Sequence, residues 1–453
     1  MHPVPSSLME DDGTLISGSE GKSKLMTELG KQFTSHSITK QEDTCYVLDG
    51  MYIVNKMEPR TGFVKNGTDL AKVFTDYVDG ITEEAANVCV VFDTYRPLSL
   101  KNFTRKKRKK GKCVATCRVG LNTNLTKMSL KKLLLNDQSK GYLASFLAEE
   151  ICKHFHLMGK GCMVTADNKT NVNMGEAYNE DNHEEADTMI IYHVIHASKS
   201  CNRIVVQCSD TDVFVGLIAY ASQIDSECLM QVAPDKIYNI KAISASIGEE
   251  RSRGLMALHT LTGCDITGKF RGKSKIPWLT AYLKETEDII NYFVKFPYFE
   301  DPLEDLQIFE KFVCRVYCPD TEICDLGAAR WMMWTQSKNI DRIPPTIGAL
   351  TQGVKRAWYA SKVMGQSDVF IQILPNPDIA GWRLDNENFE PITSEESIAP
   401  DSVIELVSCG CKRGCKSSRC SCRKLELCCT DLCSCFDFCE NTDPPMGVDV
   451  NLD

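Results

Sequence analysis

Carboxylate residues follow three apolar, β-branched segments of this chain. The apolar run of TCYVLDG stops at Asp49, that of NVCVVFDTYRP at Asp93, and that of NRIVVQCSDTD at Asp210 and Asp212. Continuous runs of Val, Ile and Leu are typical of strands that are buried on both faces of a parallel sheet. Because ligands bind outside the carboxyl ends of such strands, we expect these acids to converge on one edge of a sheet.

Two further acidic sites accompany the strand ends. The segment NHEEADTMIIYHVIHAS (182–198) predicts a helix whose first turn carries Glu185 and Asp187, and Asp265 lies in ALHTLTGCDITGKFRGKSKI. A single Asp after a strand is usually an N-cap or turn residue, but three strands, a helix start and a loop favour a shared site. Carboxylates gathered at one edge raise one another's pKa unless a cation lies between them. Two Mg²⁺ ions about 4 Å apart would relieve this repulsion and could hold the attacking and leaving oxygens of a phosphodiester.

The elements that must position these acids are those of a globular α/β protein. The chain has 453 residues, of which 43% are hydrophobic and 25% charged, enough for a sizeable core. Strand-like runs alternate with longer helical patterns, which predicts a mostly parallel central sheet flanked by helices. The predicted organisation is a disordered or extended segment at 1–40, the α/β domain at 41–340, a helical extension and linker at 341–408, a cysteine-rich module at 409–441 and a disordered tail at 442–453.

The distribution of charge indicates a nucleic-acid partner. The net charge is −9, yet residues 101–112 carry eight basic and no acidic residues, and residues 409–424 carry six and none. Such focused basic patches suit DNA, although the first patch is equally compatible with a nuclear-import signal. No apolar segment is long enough to span a bilayer and no secretory signal is evident. We therefore expect a nuclear protein without a membrane partner, whose 23 cysteines include metal ligands rather than disulfides.

The C-terminal segment CGCKRGCKSSRCSCRKLELCCTDLCSCFDFC is dense in cysteine. Its spacing is C-x-C-x₃-C-x₄-C-x-C followed by C-x₃-C-x-C-x₃-C. So short a segment cannot bury a large core, and bound Zn²⁺ would drive its folding. The pattern resembles the tesmin-like CXC domain, which implies about three Zn²⁺ ions, a DNA-binding role and these ligands: Cys409, Cys411, Cys415, Cys420, Cys422, Cys429, Cys433, Cys435 and Cys439. Cys428 would be the spare thiol, although it could exchange roles with Cys429, and a module for protein contacts is the alternative function.

Four motifs of the larger domain resemble those of flap endonucleases (XPG-like) and PIN-like nucleases. They are VFDTYRPLSLKNFTRKKRKK, EEADT, QCSDTDVF and LTGCDITGKFRGKSKI, in the order of that family, with Asp49 at its first acidic position. The resemblance covers about residues 41–290 and implies a PIN-like fold with two Mg²⁺ or Mn²⁺ ions that cleaves DNA. The implied catalytic and metal-binding acids are Asp49, Asp93, Glu185, Asp187, Asp210, Asp212 and Asp265, and Lys101 and Arg108 resemble the basic pair that polarises the scissile phosphate. Glu184 fits the position of Glu185 equally well.

Basic residues of three segments are candidates for contact with the DNA backbone. They are Arg105, Lys269, Arg271, Lys273, Lys412, Arg413, Lys416 and Arg419. Arg419 precedes the central C-x-C, where it could enter a narrow minor groove. The segment GCDITGK also has the glycine and lysine spacing of a P-loop, but Phe270 replaces the Ser or Thr that binds metal, so we favour a turn that contacts phosphate.

Together these features favour a nuclear, DNA-binding, structure-specific endonuclease. The combination of domains resembles animal proteins of possible mobile-element origin. The main alternative is a catalytically inactive nuclease-like scaffold that acts as a zinc-dependent DNA-binding or regulatory protein. A phosphatase-like hydrolase with a strand-end Asp nucleophile is a weaker alternative, because TCYVLDGMY lacks the second Asp that this chemistry uses.

Overall fold

The structure, a computed structural model, contains two compact units within its described residues. It describes residues 4–17, 22–38, 43–57, 64–83, 85–96, 99–101, 115–172, 181–337, 339–385 and 388–396, and then 408–412, 414–425, 427–429, 433–435 and 439–441. Residues 4–394 form the larger unit, and the chain from Glu395 onward belongs to the smaller one. None of the described helices combines the length and the hydropathy needed to cross a membrane.

Within the described part of the larger unit, eight strands form one sheet. Their bounds are Thr34–Ser35 (β1), Thr44–Asp49 (β2), Asn87–Val91 (β3), Gly161–Ala166 (β4), Lys169–Val172 (β5), Arg203–Gln207 (β6), Glu227–Ala233 (β7) and Lys236–Asn239 (β8). The order across the sheet is β1-β8-β7-β6-β2-β3-β4-β5. The five central strands, from β7 to β4, are parallel, and the pairs at both edges are antiparallel.

Helices and a small hairpin surround this sheet in sequence order. The helices of the described part of the unit are Lys22–Gly30 (α1), Gly50–Met57 (α2), Gly67–Ile81 (α3), Leu130–Leu133 (α4), Asp137–Leu157 (α5), Ala186–Ala197 (α6), Thr211–Ala219 (α7), Ile240–Ile247 (α8), Glu249–Leu261 (α9), Lys275–Tyr282 (α10), Glu287–Lys295 (α11), Leu306–Tyr317 (α12), Leu326–Ser337 (α13) and Ile347–Met364 (α14). Strands Trp382–Asp385 (β9) and Asn388–Pro391 (β10) form a separate antiparallel pair. In the smaller unit the described helix is Ser421–Lys424 (α15).

The central sheet is buried on both faces, as its apolar runs predict. Val47 of β2 and its neighbour Val206 of β6 lie in the hydrophobic core of one face. Leu48 and its neighbour Val90 of β3 lie in the core of the other face. Successive side chains of a strand point to opposite faces, so a strand covered by helices on both sides needs apolar residues at every position. The predicted α/β fold with a mostly parallel central sheet flanked by helices is confirmed.

Strand β2 lies where the direction of the chain across the sheet reverses. From β2 the chain adds β3 and β4 on one side, and it later adds β6 and β7 on the other. In parallel α/β sheets a crevice opens at such a reversal, outside the carboxyl ends of the strands. Asp49, at the end of β2, and Asp210, which follows β6, therefore flank the crevice.

The N-terminal segment differs from the disordered or extended structure that we expect for residues 1–40. Leu8, Met9 and Leu15 are buried in the main core. Helix α1 follows them, and β1 pairs with β8 at the edge of the sheet. The polar average composition conceals a few apolar side chains that pack on the α/β core, and it is these that order the segment.

The region after residue 340 differs from the predicted boundary in a similar way. Helix α14 carries the expected apolar stripe, since Leu350, Val354 and Trp358 are buried. The indole N–H of Trp358 donates to the carbonyl oxygen of Phe299 at 2.9 Å. Because the larger unit continues to residue 394, this helix is part of the α/β unit and not a separate extension.

Candidate functional site

Asp49 occupies a sharp turn from β2 into α2. Its Oδ1 accepts the backbone N–H of Tyr52 at 2.9 Å, and the thiol of Cys208 donates to its Oδ2 at 3.4 Å. The following residue must be Gly50, because a Cβ there would lie 2.4 Å from the ring of Phe92. Burial, together with the charges of Asp93 and Asp210, raises the pKa of Asp49 to about 7. A carboxylate held at this position therefore calls for a neighbouring cation.

The paired acids after β6 begin helix α7. Asp210 is its N-cap, and its Oδ1 accepts the backbone N–H of Asp212 at 2.9 Å. The side chain of Asp212 is only 12% exposed, and its Oδ1 lies 2.8 Å from Nε2 of His259, a fully buried residue of α9. This contact fixes the rotation of the Asp212 carboxylate from behind, as outer partners of metal-binding carboxylates do.

The start of helix α6 joins the ends of β3 and β6. The backbone N–H of Ala186 donates to Oδ1 of Asp93 at 3.0 Å, which connects the end of β3 to this helix. One turn of α6 then presents Asp187, whose carboxylate oxygen lies within 4.8 Å of those of Asp210 and Asp212. Burial and the charge of Asp210, followed by those of Glu185 and Asp212, raise the pKa of Asp187 well above its ordinary value.

Lys101 supplies the positive charge of this site. Its Nζ lies 2.5 Å from Oε2 of Glu185. Burial opposes the charge of Lys101, but Glu185 and the more distant acids Asp187, Asp265 and Asp93 outweigh it and raise the pKa of Lys101 well above its ordinary value. Burial raises the pKa of Glu185 to about 7 even though Lys101 acts in the opposite direction. The single lysine thus offsets only part of the negative charge.

The choice between Glu184 and Glu185 is resolved by their contacts. Glu184 accepts a hydrogen bond from the hydroxyl of Ser99. Glu185, by contrast, pairs with Lys101 and contributes to the raised pKa of Asp187. Of the two, Glu185 is therefore the one whose charge acts on the cluster of carboxylates.

Asp265 follows a tight turn after α9. Gly263 has φ of +114°, and a Cβ there would lie 2.6 Å from the carbonyl oxygen of Gly268. The hydroxyl of Thr267 braces the turn, because it accepts the N–H of Cys264 at 2.8 Å and donates to the carbonyl oxygen of Thr260 at 2.7 Å. This turn brings Asp265 to a cavity that is also lined by Lys101, Glu185, Asp187 and Asp212.

The predicted acids therefore form one connected arrangement. Asp187, Asp210 and Asp212 form its centre. Asp49 and Asp93 interact electrostatically with each other on one side of the crevice, and Glu185 and Asp265 share the lysine-containing cavity on the other. Arg105 and Arg108 lie outside the described residues, so their predicted roles stay predictions.

The basic turn after Asp265 is placed differently from our expectation of a DNA-binding surface. The guanidinium of Arg271 donates to the carbonyl oxygens of Ser6 and Met9, at 2.5 and 2.7 Å. Nζ of Lys273 donates to the carbonyl oxygen of Val316 at 3.0 Å. The backbone of Lys269 joins the same N-terminal segment, because its N–H donates to the carbonyl oxygen of Ile16 at 3.1 Å. Arg271 and Lys273 thus hold neighbouring segments of the fold together.

Several residues of the site carry no local signal in the sequence. His259 lies in an apolar helix, Cys208 in an apolar strand end and Ser99 in a polar loop, and each contacts a predicted acid or its neighbour. Tyr359, from α14, also lines the cavity, and burial and the charge of Glu184 raise its pKa to about 12. These contacts join segments that are far apart in the chain, so only the fold reveals them.

The smaller unit gathers the nine cysteines that the spacing singles out. Four overlapping groups place their sulfur atoms within 4.8 Å of one another, and together the groups contain Cys409, Cys411, Cys415, Cys420, Cys422, Cys429, Cys433, Cys435 and Cys439. Measured Sγ–Sγ distances in the cluster run from 3.5 Å, for Cys409 and Cys435, to 3.9 Å, for Cys409 and Cys429. Two thiolates on one tetrahedral Zn²⁺ are about 3.8 Å apart, since each Zn–S bond is about 2.3 Å. A disulfide would need about 2.05 Å.

The exchange between Cys428 and Cys429 is also resolved. Cys429 is buried and belongs to three of the four groups, whereas Cys428 is exposed and belongs to none of the groups found among the described residues. Around the cluster, Lys412, Lys416 and Arg419 are exposed, and Nζ of Lys416 lies 2.8 Å from Oε1 of Glu440. Arg413 lies outside the described residues.

Comparisons with known proteins give the following similarities. No protein-family model matches the chain, and neither does any curated protein. A bacteriophage T5 flap endonuclease variant, solved as a pseudo-enzyme-product complex with DNA and metal ions, gives a TM-score of 0.39 with 11% identity over 72% of this chain and 90% of that one. The catalytic core of Rad2 in complex with DNA substrate gives 0.33 with 13% identity over 70% and 95%. The T5 5′-exonuclease with bound zinc gives 0.32 with 12% identity over 70% and 99%. We base the fold class on the strand order and register.

The chemistry of the two clusters fits two kinds of metal ion. The acidic edge offers only carboxylate oxygens, which suit Mg²⁺ or Mn²⁺, and its raised pKa values show that the charge there exceeds what Lys101 neutralises. The cysteine cluster offers only sulfur, at separations that suit tetrahedral Zn²⁺. The residues present therefore fit both groups of ions.

Proposed function

We propose that the chain is a DNA-binding nuclease that hydrolyses phosphodiesters with two divalent ions, Mg²⁺ or Mn²⁺, held at the acidic edge of the sheet. The observation that carries this proposal is the meeting of Asp187, Asp210 and Asp212, whose carboxylate oxygens lie within 4.8 Å of one another. Opposite oxygen ligands of one Mg²⁺ are about 4 Å apart, so the cluster suits a bound cation. The known activity of the similar T5 and Rad2 proteins is consistent with this proposal.

The division of roles follows the geometry. Divalent ions, when bound, would offset the charge of the scissile phosphate and lower the pKa of a water molecule. Asp187, Asp210 and Asp212 would hold them at the centre, with Asp49, Asp93, Glu185 and Asp265 as the surrounding acids. Lys101 would remain protonated beside Glu185 and place a fixed positive charge next to the phosphate. The contact from His259 holds Asp212 in one orientation, which limits reorganisation during the reaction.

We propose further that the smaller unit is a zinc-dependent DNA-binding module of about three Zn²⁺ ions. Its cysteine sulfurs are spaced for tetrahedral zinc, and the exposed Lys412, Lys416 and Arg419 would contact phosphates. Binding should then weaken steeply with salt concentration. A DNA substrate and the basic segment at 101–112 are consistent with a nuclear location.

The test of the nuclease function is a cleavage assay on the full chain. Flap, gapped, nicked and single-stranded DNA are incubated with Mg²⁺ or Mn²⁺, and we expect cleavage of at least one substrate. Asp212→Asn and Asp210→Asn should each lower the rate by a factor of at least about 100, since each removes one carboxylate from the site. Asparagine remains a good N-cap at position 210, so the second variant should keep helix α7 intact.

The matched control is Asp320→Asn, a change of the same kind in an exposed loop of the same unit. It should cleave as the unchanged protein does. Absence of cleavage on every substrate, with Mn²⁺ binding retained by calorimetry, would reject the enzyme and support the inactive scaffold. Absence of both would reject the metal site.

A further inference from the structure

The cavity that contains Lys101 and Glu185 has a second wall of quite different chemistry. The acidic wall is formed by Glu185, Asp187, Asp212 and Asp265. The facing side chains, listed here together, are the apolar or aromatic Tyr359, Val363, Leu374, Pro377 and Phe389. All five belong to α14 and to the segment that follows it, beyond the residues 41–290 that carry the nuclease-like motifs.

The apolar wall is fixed to the acidic wall by direct hydrogen bonds. The side chain of Asn182 accepts the backbone N–H of Gln372 at 2.7 Å and donates to its carbonyl oxygen at 2.8 Å. Nε2 of His183 lies 2.9 Å from the carbonyl oxygen of Val369. Because Asn182 and His183 immediately precede the acids of α6, these bonds fix the distance between the two walls.

The hairpin that carries Phe389 is held just as firmly. The guanidinium of Arg356, buried in α14, donates to the carbonyl oxygens of Gly381 and Ile392, at 3.2 and 2.8 Å. Trp382, at the start of β9, is buried in the main core. The apolar wall is therefore preformed, and a ligand that enters the cavity does not need to order it first.

The size and the two walls of the cavity define the ligand. Its volume is about 170 Å³, and an apolar cavity of about 150 Å³ accommodates a benzene molecule. A molecule that matches both walls must carry a phosphate at one end and a flat, weakly polar ring at the other. A base pair is too large, whereas the base of a single unpaired nucleotide is of the right size.

We propose that this cavity binds one unpaired nucleotide of the substrate, with its base against Leu374, Phe389 and Tyr359 and its phosphate at the carboxylate cluster. The inference rests on the proposed nuclease function and deepens it, because it makes the base next to the cleaved bond a determinant of binding. The contribution of a base stacked on an aromatic side chain is about 1–3 kcal/mol, which is about 5- to 150-fold in affinity.

The binding test compares two ligands that differ only in the base. Thymidine 5′-monophosphate and 2-deoxyribose 5-phosphate are titrated calorimetrically into the full chain with Mn²⁺. We expect the nucleotide to bind at least about tenfold more tightly. Phe389→Ala and, independently, Leu374→Ser should reduce this ratio to near one while binding of the sugar phosphate is retained.

The matched control variant is Ile373→Ala. Ile373 lies beside Leu374 but is 84% exposed and is not among the residues that line the cavity, so the ratio should stay as in the unchanged protein. Equal affinity for the two ligands, no binding of either, or an unchanged ratio in both cavity variants would overturn the proposal.

Cleavage of oligonucleotides separates this proposal from the proposed function. Single abasic sites are placed at successive positions, and we expect a loss of cleavage at one position only, next to the cleaved bond. Cleavage that is indifferent to every abasic site would overturn the nucleotide cavity and leave the nuclease intact. Preference for the nucleotide in calorimetry without cleavage of any DNA would reject the nuclease and support the cavity.

Discussion

The acidic edge of the larger unit and the cysteine cluster of the smaller one assemble metal ligands in opposite ways. The acids come from separate strands and helices between residues 49 and 265, and backbone N–H groups already orient Asp49, Asp93 and Asp210. The cysteines come from one short stretch in which the described helix has only four residues. The first site is built by a fold that stands without metal, and the second has little besides metal to hold it. Removal of metal should therefore affect the two units very differently.

The largest expected effect is the unfolding of the cysteine module when zinc is removed. Binding of structural Zn²⁺ contributes on the order of 10–16 kcal/mol to the folding of comparable peptides, far more than so small a core can supply. We expect a zinc-selective chelator to release about three ions and to make residues 408–441 susceptible to protease. The thermal unfolding transition of the larger unit should stay where it is. A module that resists protease after complete zinc loss would contradict this difference between the units.

The acidic edge should show the reverse behaviour, since its unbound carboxylates destabilise the fold. The pKa of Asp49 is about 7, against an ordinary 3.8. The folded state therefore holds this proton more tightly than the unfolded chain does. The metal-free unit should lose stability as the pH rises from about 4 to about 7, by an amount on the order of a few kcal/mol for this group.

Asp49→Asn removes the charge and keeps the shape, so it should flatten this pH dependence and stabilise the metal-free unit at pH 7. Urea unfolding across the pH range, with and without Mg²⁺, measures the effect. Addition of Mg²⁺ should stabilise the unchanged protein at pH 7. A variant as sensitive to pH as the unchanged protein would show that Asp49 is not a source of the repulsion.

An intermediate effect is expected for His259, which contacts Asp212 from behind. Loss of such an outer partner typically lowers metal affinity by about 10- to 100-fold. We expect His259→Phe to weaken Mn²⁺ binding in calorimetry by that factor, because no donor then holds Asp212. His259→Gln supplies an amide N–H at a similar distance and should restore part of the affinity. Equal affinity in both variants would assign His259 a packing role only.

The smallest effect is expected at Cys428, which provides a matched pair with its neighbour. Cys428 is exposed and outside the sulfur groups found in the described residues, whereas Cys429 is buried within three of them. Cys428→Ser should change neither the zinc content nor the stability by more than about 0.5 kcal/mol. Cys429→Ser should release zinc and expose the module to protease. Zinc loss in the first variant would reverse the assignment of the two thiols.

Much of the fold and of both clusters could be predicted because their signals are local. Apolar runs predict buried parallel strands, and acids at their ends converge because the carboxyl ends of such strands share one edge. The cysteines are close in sequence, so their spacing alone limits them to one cluster. The ordered N-terminal segment was not predictable in this way, since Leu8, Met9 and Leu15 are few and their burial depends on a distant surface.

The sequence by itself determined which residue types are available: carboxylates at strand ends and nine clustered thiols. Only the tertiary structure decided their partners, which include His259 behind Asp212, Lys101 with Glu185, and the internal contacts of Arg271 and Lys273. It also brought α14 and the β9–β10 hairpin against the acids to form the apolar wall of the cavity. The physical reason is that periodicity and spacing encode contacts within a segment, whereas contacts between distant segments depend on how whole surfaces pack.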